Sequence, residues 1–341
     1  MIFMGEVKFG VWLPNHLVTY PPPHPYMRAI LSNLRELDFE LVKSIAIKAE
    51  ELRYDSIWIC DHFSWENLRV WLECWTTLSA LSSVTKEIRL GTIVLCNLYR
   101  HPSLSAMMGT TLDCISNGRL EFGIGAGWNE IECENFGIEF PEPRIRLGML
   151  KESVEIIKKL WTMERTTYLG KYYTIRDAYC EPKPVQKPHP PILIGGGGEQ
   201  RTLKIVARLA DESNFSGPPK AVKRKLGLLR KYCSKIGRDF ESITKSTNGY
   251  VVIAPTHDEY IDEMRRRYDA MGRPGPFDEW LKGAEAFYIA GTPEECFEQV
   301  KKYVDIGVRS FILKFGKVPK TDDMELFAKE VIPRVDELSP S

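Results

Sequence analysis

The stretch SIWICDH, residues 56–62, joins an unbroken apolar run to two polar side chains able to carry chemistry. A strand that alternates apolar and polar residues has one face in water, whereas an unbroken apolar run is typical of a strand buried on both faces. A second run of this kind, TIVLC, occupies positions 92–96. Because strands buried on both faces occur mainly in parallel sheets covered by helices, the two runs predict an α/β fold.

Short apolar strands alternate with helical patterns along the rest of the chain. The predicted strands are Val7–Leu13, Ser56–Cys60, Arg89–Cys96, Leu120–Ile124, Ile192–Ile194, Glu212–Phe215, Gly249–Ala254 and Ser310–Lys314. The predicted helices are Asp38–Leu52, Leu68–Val84, Ser103–Ile115, Arg144–Trp161, Gln200–Leu209, Ala221–Ile236, Pro293–Ile306 and Asp323–Ile332. Asp38 and Thr292 are predicted N-caps, and Pro293 follows at the first helical position.

The number of predicted strands, eight, is the number that closes a parallel barrel. The sequence therefore predicts a (β/α)8 TIM barrel, with an open, doubly wound sheet as the alternative. Three connections are longer than a minimal barrel needs: residues 14–37 after the first strand, 163–191 before the fifth, and 255–289 after the seventh. The first and third would leave the C-terminal rim, where barrel active sites lie. The aromatic run YLGKYY in the second predicts a packed segment such as a hairpin.

The composition excludes several classes of partner. Lys and Arg total 46 and Asp and Glu total 46, so the chain has no basic excess to attract nucleic acid or an anionic membrane surface. No apolar run reaches the roughly 18–20 residues of a membrane span, and MIFMGEVKFG lacks a secretory pattern. No linker-like composition divides residues 1–341. We therefore expect a single-domain cytoplasmic protein whose partner is a small molecule.

The cysteines and histidines show no metal-binding spacing. The eight cysteines are scattered without a CxxC pair, and Cys60 and Cys96 end apolar runs, where a thiol packs as a small hydrophobe. They are interpreted as reduced packing residues. The six histidines form no HxH or HExxH pattern, and the GxSxG elbow of a serine hydrolase is absent from the sequence. The sequence predicts no metal site.

Asp61 and His62 follow the second predicted strand, at the rim from which catalytic side chains project in a barrel. An imidazole exchanges protons near neutral pH, and a neighbouring carboxylate is able to orient or charge-balance it. A surface histidine at the start of a loop is the other interpretation. The position by itself leaves both open.

A glycine run, Gly195–Gly198, separates the fifth predicted strand from the helical stretch that follows it. Backbone N–H groups at such a run approach an anion closely, and the helix N-terminus adds positive charge, so the segment predicts a phosphate site. Arg201 or Thr202 is placed to add a side-chain contact, while a turn without ligand is the alternative.

A second glycine pattern, Gly123, Gly125 and Gly127, ends the fourth predicted strand. It is not the dinucleotide-binding fingerprint, which is GxGxxG at the start of a helix. Here the glycines have the spacing GxGxG, and Trp128 and Asn129 follow them. Glycines at a strand end would instead allow a flat ring to approach the backbone.

Taken together, these segments resemble the luciferase-like flavin and deazaflavin oxidoreductases. The resemblance is carried by DSIWICDHF at 55–63, IRLGTIVLCNLYRHPSLSA at 88–106, TLDCISNGRLEFGIGAGWNEIECENFGIEFP at 111–141, CEPKPVQKPHPPILIGGGGEQRTLKIVARLADESN at 180–214 and GTPEE at 291–295. The combination of RHP, GAGW and IGGGG is most similar to the subgroup that depends on coenzyme F420, a deazaflavin.

The resemblance implies a (β/α)8 barrel with insertions and assigns roles to residues. Asp61 and His62 match an Asp-His pair in which the histidine is the acid/base beside the deazaflavin and the aspartate contacts the cofactor. Ile93–Val94 match the place of a non-prolyl cis peptide that backs the ring, and Gly195–Gly198 match the phosphate loop. The predicted catalytic residue is His62; the predicted cofactor contacts are Asp61, Ile93, Val94, Gly125, Gly127, Asn129, Gly195, Gly196, Gly197 and Gly198.

Two aromatic residues depart from the family's pattern. The sugar-phosphate dehydrogenases of the family have a glutamate where this chain has Trp128, which argues against that substrate. Trp65 stands one residue closer to the Asp-His pair than the corresponding aromatic in those enzymes.

The resemblance supports three hypotheses of function. The first is an F420-dependent oxidoreductase that transfers a hydride between C5 of the deazaflavin and a small organic substrate, with the barrel supplying orientation and a proton-transfer group. The second is an FMN-dependent monooxygenase that uses reduced flavin and O2. The third is a non-catalytic flavin-binding protein. A homodimer is the usual assembly among the proteins that this one resembles.

Overall fold

The computed structural model describes residues 6–17, 37–64, 70–271, 275–285 and 288–338. Its central feature is a ring of eight parallel strands: β1 Lys8–Trp12, β2 Ser56–Ile59, β3 Arg89–Thr92, β4 Leu120–Gly125, β5 Ile192–Gly195, β6 Glu212–Asn214, β7 Thr244–Ile253 and β8 Ser310–Phe315. Each strand pairs with the next, and β8 pairs in parallel with β1, which closes the ring. The chain is therefore a (β/α)8 TIM barrel, as predicted, and the open-sheet alternative is wrong.

Helices cover the outside of the barrel. They are α1 Phe39–Glu51, α2 Cys74–Val84, α3 Pro102–Ile115, α4 Glu130–Asn135, α5 Pro143–Thr162, α6 Thr202–Leu209, α7 Pro219–Lys235, α8 His257–Met271, α9 Phe277–Glu285, α10 Pro293–Val304, α11 Asp322–Glu330 and α12 Ile332–Asp336. Asp38 accepts a hydrogen bond of 2.8 Å from the Leu41 N–H at the start of α1. Thr292 and Glu295 form a reciprocal capping box at the start of α10. Both predicted N-caps are confirmed.

The strands are buried on both faces, which explains their unbroken apolar sequences. All four side chains of β2 are buried: Ile57 and Ile59 pack in the core shared with the helices, whereas Trp58 points into the barrel. Trp58 packs there with Ile93, Leu193 and Ile312. This inner cluster supports the C-terminal end of the barrel, where Ile93 also lines a cavity.

Two strand predictions need correction. The predicted strand Arg89–Cys96 is interrupted: β3 ends at Thr92, and a separate short strand, Leu95–Cys96, pairs with β4. β7 begins at Thr244 rather than Gly249. Its first half is polar because Ser246 and Thr247 bond to neighbouring backbone inside the barrel, where Ser246 donates to the Ser213 carbonyl and Thr247 to that of Phe215. Buried polar residues whose hydrogen bonds are made inside the barrel interrupt the apolar run, so a prediction from hydrophobic pattern does not detect this part of the strand.

The connections after strands 4 and 7 contain extra elements. Residues 163–191 include an antiparallel hairpin of Thr166–Leu169 with Thr174–Ala178, which confirms the predicted packed segment. Residues 255–289 contain α8, α9 and the beginning of a strand that the sequence did not reveal, Tyr288–Gly291, which pairs with the second half of β7.

The connection after β1 is described only at its ends. His16–Leu17 form a short antiparallel pair with Val70–Trp71, and most of the predicted insertion, residues 18–36, lies outside the described residues. The predicted helix start at Leu68 also lies outside them. The helix α2 begins at Cys74, where the Glu73 side chain accepts a hydrogen bond from the Thr76 N–H.

Candidate active site

A cavity of about 490 Å³ lies at the C-terminal ends of the barrel strands. Pockets of roughly 300–1,000 Å³ hold small organic ligands and cofactors. The cavity is lined by most of the predicted site residues: Asp61, His62, Ile93, Val94, Gly125, Gly127, Asn129, Gly195 and Gly196. Gly197 and Gly198 are outside the lining and continue the loop toward α6. The fold thus brings four separate sequence segments to one place.

His62 is held by Glu132, a residue that the sequence did not single out. The Nδ1 atom of His62 lies 2.7 Å from Oε2 of Glu132, and Oε1 of Glu132 accepts hydrogen bonds from the N–H groups of Phe63 and Ser64. When Nδ1 donates to a carboxylate, Nε2 is left to exchange a proton with a ligand. The sequence hypothesis gave the orienting role to Asp61, whereas the structure gives it to Glu132.

The Glu132 carboxylate is kept ionised by its surroundings. Burial raises its pKa, but the hydrogen bonds from His62 and from the backbone outweigh burial, so the pKa lies below its usual value. Asn129, the N-cap of α4, accepts a hydrogen bond from the Glu132 N–H and donates to Oε2 at 3.2 Å. An Asn followed by Glu three residues later at a helix start is the sequence signal by which Glu132 could have been found.

Asp61 is buried and bound to Arg100. Its oxygens accept hydrogen bonds of 2.7 and 3.0 Å from the guanidinium and one of 2.9 Å from the Cys96 N–H. Arg100 also donates to Glu73. Burial lowers the pKa of Arg100, but the two carboxylates outweigh it and raise that pKa above its ordinary value. Asp61 therefore fixes the end of β2 to the segment that follows β3, and its contact with a cofactor stays a prediction.

The peptide bond between Ile93 and Val94 is cis, as the resemblance implies, and both residues line the cavity. The Val94 side chain lies against Gly125 and Gly195. A Cβ built on Gly125 would stand 2.8 Å from a Val94 methyl, and one on Gly195 would stand 2.9 Å away. Glycine at both positions allows the ends of β4 and β5 to close on this peptide and presents backbone on which a flat ring is able to lie.

The glycine loop runs from β5 to α6. Gly196 has a φ of +115°, which favours glycine, and its N–H donates to the Asn214 carbonyl at 3.0 Å. Of the two side chains expected to add a contact, Thr202 is buried and lines the cavity, whereas Arg201 is exposed. A cation that the sequence did not single out also reaches the loop: Lys225 of α7 packs its Nζ against Gly197. A helix start beside an ammonium group suits an anion such as phosphate.

A family model described as luciferase-like monooxygenase matches residues 7–310. The chain belongs to this family. An F420-dependent glucose-6-phosphate dehydrogenase of Microbacterium testaceum is 28% identical over 317 residues, which cover 85% of this chain and 91% of the relative.

Solved structures share the barrel over nearly the whole chain. An F420-dependent secondary alcohol dehydrogenase in complex with an F420-acetone adduct superposes with a TM-score of 0.76 at 20% identity, covering 97% of this chain and 99% of the other. A riboflavin lyase with modified FMN and riboflavin superposes with a TM-score of 0.82 at 18% identity, covering 98% and 92%. At these identities the likeness shows a common fold.

Two indoles flank His62 in this luciferase-like protein. The imidazole centroid lies 5.5 Å from the ring of Trp71 and 5.6 Å from that of Trp128, the latter in an edge-on arrangement. Trp128 is 57% exposed, which places it at the mouth of the cavity. The departure at position 128 therefore puts a large aromatic group beside the proposed acid/base. Trp65 lies outside the described residues.

The cavity wall across from the predicted site residues is formed by residues that the sequence did not single out: Trp12, Asn248, Tyr250 and Lys314. They stand on β1, β7 and β8. Lys314 is 3% exposed, and burial lowers its pKa to about 8. The available signal was a single charged residue, the lysine, in the strand SFILKF.

The described residues contain no group of three or more His, Cys, Asp or Glu side chains placed to hold a metal ion. The eight cysteines are free thiols, and burial raises the pKa of Cys60, which lines the cavity, to about 11. Cys60 is therefore a neutral thiol at neutral pH. Across the part of the chain that the structure describes, none of the helices has the length and apolar character to cross a membrane.

Proposed function

We propose that this protein is a coenzyme F420-dependent oxidoreductase that transfers a hydride between C5 of the deazaflavin and a small organic substrate. One observation carries the proposal: the His62–Glu132 pair shares a single cavity with the cis Ile93–Val94 peptide and the glycine loop. An acid/base, a backing surface for a flat ring and an anion site are the parts that such chemistry needs. A relative that matches most of the chain is named as an F420-dependent enzyme, and this supports the choice of cofactor.

The residues of the cavity fit a deazaflavin. Ile93–Val94, with the glycines at 125 and 195, would back the ring, and Gly195–Gly198 with the start of α6 would hold the phosphate. Asp61, Gly127 and Asn129 complete the proposed contacts. When bound, the deazaflavin supplies the two-electron redox chemistry.

In the proposed reaction the protein itself supplies the side chain that transfers a proton. His62 Nε2 would take a proton from the substrate or return one, while Glu132 stabilises the imidazolium that forms in the first case. Trp71 and Trp128 pack against the imidazole. Because Trp128 replaces a glutamate found in sugar-phosphate dehydrogenases of the family, glucose 6-phosphate is not the substrate that we propose.

Fluorescence titration of the purified protein with F420 and, separately, with FMN tests the cofactor. We expect micromolar or tighter binding of F420 and weaker binding of FMN. Gly195→Val should weaken F420 binding at least tenfold, because the added side chain collides with Val94. Gly227→Ala, in a helix position with open space around it, is the control. Binding of FMN alone would contradict the proposal and favour an FMN-dependent monooxygenase.

We also propose that the protein is a homodimer. α3 exposes a stripe of Leu104, Met107 and Ile115, which are 52%, 39% and 55% exposed. Their spacing places them along one side of the helix. Apolar surface concentrated on one helix face is typical of a protein interface. Light scattering on a sizing column should give twice the chain mass, and a Leu104→Glu, Met107→Glu double variant should give the chain mass; an unchanged mass in the variant would exclude this face.

A further inference from the structure

The wall of the cavity consists of two arcs that come from different strands. The residues proposed to hold the cofactor follow β2, β3, β4 and β5, which are consecutive in the ring; we call them the first arc. The strands β7, β8 and β1, also neighbours, supply Asn248, Tyr250, Lys314 and Trp12; we call these four residues the second arc. A cofactor bound along the first arc would therefore have the second arc on its other side.

Lys314 stands at the centre of the second arc. Because β8 lies between β1 and β7, its Nζ is placed 5.0 Å from the ring centroid of Trp12 and 5.9 Å from that of Tyr250. All six side chains of β8 are buried, and Lys314 is the only charged one among them. Removing an ammonium group from water is costly, and a buried lysine that lines a cleft is a candidate for function. Its pKa of about 8 keeps it protonated at neutral pH.

The acidic side chains of the cavity lie on the other arc. Among the described residues, Asp61 and Glu132 are the carboxylates in the lining, and they bind Arg100 and His62 respectively. The second arc contributes the Lys314 ammonium, which lies near the rings of Trp12 and Tyr250, and the Asn248 amide as hydrogen-bond donors. This arrangement suits an oxygen that carries negative charge and that is attached to an apolar skeleton.

We propose that Lys314 binds a negatively charged oxygen of the substrate, and that the substrate is a small organic carboxylate whose apolar part packs against Trp12 and Tyr250. The proposal rests on the proposed function, because the position of the cofactor assigns the second arc to the substrate. The anionic ring of a reduced deazaflavin would offer Lys314 the same chemistry, so the experiment separates these two sources of negative charge.

Calorimetric titration of the full chain with benzoate and phenylacetate, and with the matching amides benzamide and phenylacetamide, tests the site without and with F420. We expect at least one carboxylate to bind wild type more tightly than its amide. Lys314→Met should reduce that carboxylate's affinity at least tenfold and leave the amide's affinity unchanged, while Lys314→Arg should restore most of the loss. Lys320→Met, which removes an exposed lysine of the following loop, should behave like wild type.

Thermal unfolding shows whether each variant is folded, and replacing a buried charge by an apolar side chain of similar shape is often neutral or stabilising. Equal carboxylate affinity in wild type and Lys314→Met, or no carboxylate preference in wild type, would overturn the proposal. Weaker binding of reduced F420 in Lys314→Met with unchanged carboxylate binding would assign Lys314 to the cofactor and overturn it as well. Failure of wild type to bind F420 refutes the proposed function separately, because the carboxylate titration is also done without cofactor.

Discussion

At the scale of single residues, His62 and Glu132 form the unit on which turnover is expected to depend. Glu132→Gln keeps the shape of the side chain and removes the charge that stabilises a protonated imidazole. Since a hydrogen bond to a charged group contributes about 1.5–3 kcal/mol, we expect kcat to fall roughly 10- to 100-fold, with little change in F420 affinity. Glu130→Gln, exposed on the same helix, is the control. Steady-state kinetics decide the matter, and a kcat equal to that of the control would remove Glu132 from the mechanism.

His62→Ala removes the proposed proton carrier itself. We expect a larger loss of turnover than in Glu132→Gln, because proton transfer by a positioned side chain contributes typically 10²–10⁴-fold. F420 affinity, measured by fluorescence titration, should remain close to that of wild type, since the proposed cofactor contacts are other residues. Unchanged turnover would refute the assignment of His62, and a large loss of F420 affinity would make it a binding residue instead.

The sequence predicted which residues stand at strand ends but not which side chains meet there. Asp61 and His62 were found because a polar pair directly follows an apolar strand. Glu132 was missed because it is 70 residues away from His62 in the sequence, and the two meet only because β2 and β4 lie on either side of β3 in the ring. Lys314 was missed for a related reason: an isolated lysine in an apolar strand does not indicate whether it points into a cavity.

At the scale of elements, local sequence signals were sufficient for features whose hydrogen bonds form between residues close together in the sequence. The helix starts at Asp38 and Thr292 depend on side chains within three residues and were predicted correctly. β7 depends instead on partners along its length: its first half pairs with β6, and its second half pairs with Tyr288–Gly291. Neither pairing leaves a pattern in the sequence, so the start of β7 and the whole of the added strand were missed.

The inner face of β3 makes a prediction about packing. A Cβ built on Gly91 would stand 2.2 Å from Cε3 of Trp58, whose indole fills the barrel interior. Gly91→Ala should therefore lower the free energy of unfolding by about 1–3 kcal/mol, the usual cost of overpacking a core. Gly227→Ala, at an exposed position of α7 with open space around the glycine, should instead raise it by a few tenths to about 1 kcal/mol. Urea denaturation measures both, and equal stability of Gly91→Ala and wild type would show that Trp58 is able to move aside.

At the scale of the whole molecule, the balance of charges predicts that the partner is not a polyanion, but it does not argue against anionic ligands. The net charge is zero, yet the cavity end of the barrel places Lys314 on its wall and Lys225 against the glycine loop. Closure of the ring was predictable from the number of strands. The position of the cations was not, because it follows from how the strands and helices are arranged around the barrel.

The opposite end of the barrel carries a buried acid that should make stability depend on pH. Glu212 begins β6, is 7% exposed, and has no hydrogen-bond partner for Oε1 within the described residues. Burial, and then the nearby Glu121, raise the pKa of Glu212 to about 8. The folded protein therefore favours the protonated acid, whereas the unfolded chain ionises near its ordinary pKa of about 4.3.

The sign of the effect follows from that difference. Below about pH 4 both states hold the proton, so Glu212 has no pH-dependent effect on stability. Between about pH 4 and 8 the unfolded chain loses the proton of Glu212 while the folded protein keeps it. The free energy of unfolding therefore falls as the pH rises, by at most about 1.4 kcal/mol per pH unit. Glu212→Gln removes this term. Its stability relative to wild type should increase from pH 5 to pH 8, and Glu87→Gln, at an exposed position, is the control for the loss of one carboxylate. Urea denaturation across this range measures both, and a Glu212→Gln difference that stays constant with pH would show that Glu212 is already ionised in the folded barrel.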